Sequence, residues 1–115
     1  MRFVFFEAPV FSRLLASYMD DEEYGVLQSE LMRAPENGDL IPRTGGFRKL
    51  RWADPRRHKG KRGGLRIIYY LLLEYRQIWL FTIYDKDELK DLTASQCRLL
   101  VNAIRDELEA RRTSA

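Results

Sequence analysis

Apolar residues recur along this chain with two spacings, one typical of strands and one typical of helices. Residues 2–7 read RFVFFE, a short run rich in Phe and Val that predicts a buried strand. Pro9 ends this run and can begin a helix, whose apolar residues then repeat at i, i+3, i+4 and i+7. A second helix is predicted after Asp20, because Glu23 completes a capping-box pattern, and Pro35 stops it. The first third of the chain therefore predicts a strand followed by a helical hairpin.

Three further apolar runs predict strands. They are residues 47–52 (FRKLRW), 65–73 (LRIIYYLLL) and 77–84 (QIWLFTIY). Only a few polar residues separate the last two runs, which predicts an antiparallel hairpin. Both of these runs are apolar on both faces, as in strands at the centre of a sheet. Thr93 and Gln96 then form a second capping-box pattern, which predicts a C-terminal helix.

This order of elements predicts an α+β fold. We expect a small, mainly antiparallel sheet with an N-terminal helical hairpin and a C-terminal helix, the helices covering one side of the sheet. At 115 residues the chain fits a single domain, spanning residues 1–115. One cysteine excludes an internal disulfide, and no His or Cys spacing of the zinc type is present, so we expect no metal and no cofactor.

The chain shows no targeting or membrane-spanning segment. No run approaches the roughly 20 apolar residues of a membrane span, and the residues after Met1 do not form a signal peptide. The single cysteine suits a reducing compartment. We therefore expect a cytoplasmic protein that does not contact a membrane.

Positive charge is concentrated between residues 43 and 66. Ten basic residues there oppose Asp54 alone, so the stretch carries a formal charge of about +9 in a chain whose total is +3. Such a stretch is typical of a surface that binds a polyanion, most often nucleic acid. Strand alternation places Lys49 and Arg51 on one face, and antiparallel pairing would bring Arg66 near them. Three cations on one face repel each other unless an anion joins them, and arginine can clamp a phosphate with two donors.

The other basic residues of the stretch are interpreted as an RNA- or ribosome-binding set. They are Arg48, Arg56, Arg57, Lys59, Lys61 and Arg62. Tyr70 shares the face of Arg66 unless a bulge intervenes, and it is a candidate for stacking on an RNA base. Packing of Tyr70 in the core, with its hydroxyl at the rim, is the alternative. A solvated surface or a binding patch without chemistry remains the simpler interpretation of the whole stretch.

Several segments occur in an order that is similar to one known family. They are RTGG at residues 43–46, FRKLRW, GKRGG, LRIIYY and IWLFTIYDKDE. Together they resemble the HigB-type toxins of the RelE/ParE superfamily, which belong to bacterial type II toxin–antitoxin systems, and the similarity covers nearly the whole chain. The resemblance implies a compact RelE-like fold and ribosome-dependent cleavage of mRNA in the decoding site.

The resemblance also implies a cationic catalytic surface. The alternating basic pair of the family matches Lys49 and Arg51, the arginine that opens the next strand matches Arg66, and a late basic position matches Lys86. Lys49 is then the candidate general base, and Arg66 is the candidate for stabilising the phosphorane. Lys86 would support charge or donate a proton.

Some RelE members use a further tyrosine after the last strand. Leu92 falls near that position here, so Tyr84 is the candidate for an acid/base or stacking role, with Tyr70 as the other choice. The implied reaction needs no metal, because RNA supplies its own nucleophile, the 2′-hydroxyl. The implied partners are the ribosome, mRNA and a cognate antitoxin of the helix-turn-helix, HigA-like kind.

Two other functions fit the same residues. ParE-type relatives poison DNA gyrase, although they lack the cationic catalytic set. A non-catalytic RNA- or ribosome-binding module would show strongly salt-dependent association without cleavage.

Overall fold

Five strands and three helices make up the part of the chain that the structure describes. This computed structural model describes residues 2–54, 64–87 and 92–113. The strands are β1 (Val4–Glu7), β2 (Asp39–Leu40), β3 (Phe47–Trp52), β4 (Leu65–Leu72) and β5 (Gln77–Asp85), and the helices are α1 (Pro9–Tyr18), α2 (Asp21–Arg33) and α3 (Ala94–Thr113). The predicted α+β class is confirmed. The two-residue strand β2 is an addition to the predicted elements, because two residues are too few for an apolar pattern to indicate a strand.

The two predicted capping boxes start α2 and α3. At α2, the Glu23 amide donates to Asp20 Oδ1 at 2.8 Å, and the Asp20 amide donates to Glu23 Oε1 at 2.9 Å. At α3, the Thr93 amide donates to Gln96 Oε1 at 2.8 Å, and the Gln96 amide donates to Thr93 Oγ1 at 3.1 Å. Each reciprocal pair satisfies two amides that the helix itself leaves without partners.

The strands form a mixed sheet in the order β1-β5-β4-β3-β2. Among the described strands, three neighbouring pairs are antiparallel, and β1 runs parallel to β5. The predicted β4–β5 hairpin is present, and its turn ends on Arg76 in the left-handed region at φ 54°. Both strands lie inside the sheet, as their apolar faces predicted.

Helices cover both faces of the sheet, so the expectation of one covered side was wrong. The hairpin of α1 and α2 packs on one face, around residues such as Leu27, Ile67 and Leu80. Helix α3 packs on the other face, where Ile104 meets Phe47 and the rest of a second cluster. The physical reason is that β4 and β5 are apolar on both faces, and each face must be removed from water.

A β-bulge lies in β5 at Phe81. Ile68 pairs with Thr82 while the next residue, Tyr69, pairs with Leu80, so β5 carries one extra residue there. The bulge changes the alternation of β5 and leaves that of β4 intact. It turns Phe81 toward the face of α3, where Phe81 packs edge-on against Phe47 at a ring separation of 4.8 Å.

Candidate nucleic-acid interface

Two arginines face each other across the β3–β4 ladder. Arg51 is the register partner of Arg66, and Lys49 is the partner of Ile68 one step further along the same face. Residues directly opposite in an antiparallel pair have Cβ atoms only about 5 Å apart, and like charges in that position destabilise the pair. The predicted gathering of Lys49, Arg51 and Arg66 is therefore confirmed in the strand register, and an anion would relieve its repulsion.

Lys86 lies at the same end of the sheet. Its amide donates to the Gly64 carbonyl at 3.2 Å, which extends the β4–β5 ladder by one step beyond its last strand pair. Asp85 Oδ1 accepts from the Asp87 amide at 2.8 Å, which shapes the turn that carries Lys86. The exposed Lys86 is thus placed beside the strand end that bears Arg66.

The four predicted catalytic residues differ in their access to solvent. Arg51 and Lys86 are exposed and Lys49 is half-buried, whereas Arg66 is only 4% exposed and donates to the Leu65 carbonyl at 3.1 Å. A phosphate arriving from solvent would meet Arg51, Lys49 and Lys86 first. Arg66 would act from beneath them, through its charge.

Two buried carboxylates accompany Arg66 at this end of the sheet. Asp54 follows β3 and is fully buried, and Asp85 ends β5 and is 2% exposed. Burying a charge without compensation is costly, so opposite charges buried at one end of a fold favour each other. Removing the Arg66 guanidinium is therefore expected to destabilise the fold as well as any site it serves.

Tyr84 lies in the row that contains the two arginines. It is the β5 partner of Arg66 and is 7% exposed, in the cluster that α3 covers. Its position opposite Arg66 places it beside the candidate catalytic cations. Its burial places the ring in the core and away from any base that could stack on it from solvent.

Tyr70 lies on the predicted face but away from the arginines. Because the bulge is in β5, Tyr70 keeps the parity of Arg66, and four strand residues, about 13 Å, separate the two. Its ring packs edge-on against Phe47 with a centroid distance of 5.0 Å, and its hydroxyl donates to the Gly45 carbonyl at 3.1 Å. The structure therefore supports the alternative in which the Tyr70 ring packs in the core. Its hydroxyl holds the turn before β3.

Arg48 points to the opposite face from Lys49 and fastens a turn. Its Nη1 donates to the Glu36 carbonyl at 3.1 Å and to the Gly38 carbonyl at 2.8 Å. This half-buried guanidinium has a structural task that the RNA-binding interpretation did not include. The other predicted binding residues, Arg56, Arg57, Lys59, Lys61 and Arg62, lie outside the described residues.

Tyr69 holds the same turn from below. Its fully buried hydroxyl donates to the Pro35 carbonyl at 2.7 Å and accepts from the Gly38 amide at 2.9 Å. Burial raises the pKa of the Tyr69 phenol above its ordinary value, although the Gly38 amide opposes that rise. The phenol therefore remains a neutral donor to Pro35 at physiological pH.

Two polar residues that the sequence argument did not select complete the concavity beside the cations. A pocket of about 230 Å³ is lined by Asn37, Asp39, Lys49, Leu50 and Arg51. Asp39 is the register partner of Lys49. Asn37 and Asp39 lie outside every strand and helix predicted from the sequence, and only the pairing of β2 with β3 brings them to the basic strand.

A comparison of the sequence with models of known protein families finds no match. Within residues 2–54, 64–87 and 92–113, no three potential metal ligands come together. None of the helices in those ranges has the length and apolar character needed to cross a membrane. An apolar groove of about 660 Å³ lies between α3, β5 and the start of α1, and no predicted site residue lines it.

Proposed function

We propose that this protein is a ribosome-dependent mRNA endonuclease, the toxin of a type II toxin–antitoxin system with a RelE-like fold. The observation that carries the proposal is the placement of Arg51 opposite Arg66, with Lys49 and Lys86 at the same end of the sheet. The resemblance of the sequence to HigB-type toxins supports it. A helix-turn-helix antitoxin and a cytoplasmic location belong to the same proposal.

The reaction would use the 2′-hydroxyl of the mRNA as the nucleophile. The 2′-oxygen attacks the adjacent phosphorus and loses its proton to a base, for which Lys49 is the candidate. The bond from phosphorus to the 5′-oxygen breaks, and that oxygen takes up a proton, for which Lys86 is placed at the open end of the sheet. The products are a 2′,3′-cyclic phosphate and a 5′-hydroxyl end.

Charge stabilisation would be divided between an outer and an inner arginine. Arg51 is exposed and can donate two hydrogen bonds to the phosphate, whereas the buried Arg66 adds positive potential behind it. Water is scarce around Arg66, so its field is screened less than that of a surface charge. The ribosome would hold the mRNA in the geometry for in-line attack, which reduces what the protein itself must supply.

Purified protein and ribosomes programmed with a defined mRNA test this proposal. We expect cleavage in the decoding-site codon, with cyclic phosphate and 5′-hydroxyl ends. Arg51→Ala should lower the cleavage rate by at least about 100-fold, the usual effect of removing one group that stabilises the transition state. Arg51 is a cleaner target than Arg66, because Arg66 is buried and its removal is expected to lower stability as well as activity.

Arg13→Ala is the charge-matched control, because Arg13 is an exposed residue of α1 on the opposite side of the sheet. It should cut at the wild-type rate. Intact mRNA with wild-type protein would exclude the nuclease. Intact mRNA with inhibited gyrase would favour the ParE-like alternative, and ribosome binding without cleavage would favour the non-catalytic module.

A further inference from the structure

The pocket beside β3 has two chemically different walls. Lys49 and Arg51 supply cations on one side, and Asn37 and Asp39 supply an amide and a carboxylate on the other. Asp39 is the register partner of Lys49, and Asn37 lies two residues before it, in the segment that leads into β2. Asp39 lies opposite Lys49 and balances part of its charge, and its carboxylate can accept hydrogen bonds from a ligand but cannot bind a phosphate.

The turn that carries Asn37 and Asp39 is held rigidly. Arg48 and the Tyr69 hydroxyl together make four hydrogen bonds to backbone atoms of residues 35–38. A Cβ atom added at Gly38 would lie 2.8 Å from the Tyr69 ring, so the turn packs closely on the sheet beneath it. A wall that is fixed before binding loses little entropy when a ligand arrives.

The polar groups on this wall have unused hydrogen-bonding capacity. The side chains of Asn37 and Asp39 make no hydrogen bond or ion pair with another described residue. An ionised carboxylate accepts only, whereas an amide both donates and accepts. The wall therefore offers the NH2 donor group of Asn37 beside the two acceptor oxygens of Asp39.

We propose that this pocket binds one nucleotide of the RNA, with its phosphate toward Lys49 and Arg51 and a guanine base toward Asn37 and Asp39. The Watson–Crick edge of guanine presents one acceptor, O6, beside two donors, the N1 and N2 groups. The Asn37 amide matches the acceptor, and the two oxygens of Asp39 match the donors. The inference rests on the proposed function for its substrate class, single-stranded RNA, and it adds the residues that select the base.

Uracil fits the same wall poorly. Its Watson–Crick edge has a single N–H between two carbonyl oxygens, and those oxygens would face the carboxylate of Asp39. A well-matched bidentate contact discriminates between bases by about tenfold or more. Asn37 and Asp39 are therefore specificity-determining residues in this proposal and take no part in bond breaking.

Fluorescence anisotropy with two labelled pentanucleotides, UUGUU and UUUUU, tests the proposal. Both carry 2′-O-methyl groups, so neither can be cleaved through a 2′-hydroxyl. At low salt we expect wild-type protein to bind UUGUU about tenfold more tightly than UUUUU. Asp39→Asn should reduce that ratio to within about twofold while leaving the affinity for UUUUU at least as high, because removing an acid does not weaken phosphate binding.

Glu36→Gln is the matched control, since it removes one negative charge from the same turn outside the pocket. It should keep the tenfold ratio. Asn37→Ala, which deletes the proposed donor to O6, should reduce the ratio in part. Thermal unfolding of each variant verifies that the fold is retained.

Equal binding of the two oligonucleotides by wild-type protein would overturn the assignment, and so would an unchanged ratio in Asp39→Asn. The two proposals fail separately. A preserved ratio together with intact mRNA on ribosomes would exclude only the nuclease, and cut mRNA together with equal affinities would exclude only the guanine pocket.

Discussion

At the scale of single residues, Glu7 shows how one carboxylate joins three elements. It ends β1, accepts from the Ser12 hydroxyl of α1 at 2.7 Å and accepts from the Tyr24 hydroxyl of α2 at 2.7 Å. Each carboxylate oxygen takes one neutral donor, and hydrogen bonds to a charged acceptor are stronger than those between neutral groups. Glu7 therefore fixes the hairpin of α1 and α2 to the edge of the sheet.

The hydrogen bond between Tyr24 and Glu7 should make the protein less stable as the pH rises into the alkaline range. Burial, and then the hydrogen bond to Glu7, raise the pKa of the Tyr24 phenol well above its ordinary value of about 10. An unfolded Tyr24 loses its proton near pH 10 while the folded one keeps it, so this contribution to stability is complete below about pH 10 and is lost as the pH rises further. We expect the free energy of unfolding to fall between about pH 9 and pH 11 more steeply for wild type than for Tyr24→Phe.

Urea denaturation at a series of pH values measures this difference. Tyr75→Phe is the control, because it deletes the hydroxyl of an exposed tyrosine far from Glu7. Its pH curve should follow that of wild type. Parallel curves for wild type and Tyr24→Phe would contradict the prediction.

Part of the candidate site follows from the sequence at this scale. Period-two alternation and an antiparallel hairpin suffice to place Lys49, Arg51 and Arg66 on one face, and the register agrees. Alternation predicts which face of the sheet a side chain lies on but not how exposed it is, so it could not show that Arg66 is buried. It also could not direct the Arg48 guanidinium to two backbone carbonyls, since those belong to a turn ten or more residues earlier.

At the scale of elements, local signals predicted the helices and strands well, whereas their arrangement needed long-range contacts. Asp20 and Thr93 mark helix starts by a chemistry that acts within three residues. The parallel pairing of β1 with β5 and the position of α3 on the second face have no local signature. They follow from which apolar faces remain uncovered once the hairpin of β4 and β5 has formed.

Two glycines in different elements should respond oppositely to alanine. Gly25 lies inside α2 and a Cβ there would meet no atom within 4 Å, so Gly25→Ala should stabilise the protein by about 0.5–1 kcal/mol.

Gly46 has φ 123°, and a Cβ there would lie 3.2 Å from the Tyr70 ring, so Gly46→Ala should destabilise the protein by about 1–3 kcal/mol. Denaturant titrations measure both changes, and a Gly46→Ala protein as stable as wild type would contradict the second.

At the scale of the whole molecule, charge is distributed unevenly around a nearly balanced total. The chain carries a net charge of +3, yet residues 43–66 hold half of its 20 lysines and arginines. A field of this kind attracts a polyanion to one surface and raises the rate of encounter at low ionic strength. Arg51 is an exposed residue of this stretch.

Salt should therefore weaken binding to single-stranded RNA, with a slope that reports the number of phosphate contacts. The logarithm of affinity falls with the logarithm of salt concentration by about 0.7 for each phosphate contact to a single strand. Arg51→Ala should reduce the slope for 2′-O-methyl UUUUU by about 0.7, as measured by anisotropy. Arg13→Ala should leave the slope unchanged, and an equal reduction in both variants would indicate diffuse attraction without a defined contact.

The parallel pairing of the first strand with the last one sets an order for folding. Val4 is the partner of Gln77 and Glu7 is the partner of Leu80, so each residue of β1 pairs with a residue 73 positions later in the chain. Loop closure over such a separation is entropically costly and slows the step that requires it. The five-stranded sheet is therefore complete only after β5 has been synthesised, whereas β2, β3 and β4 can pair before β1 joins them.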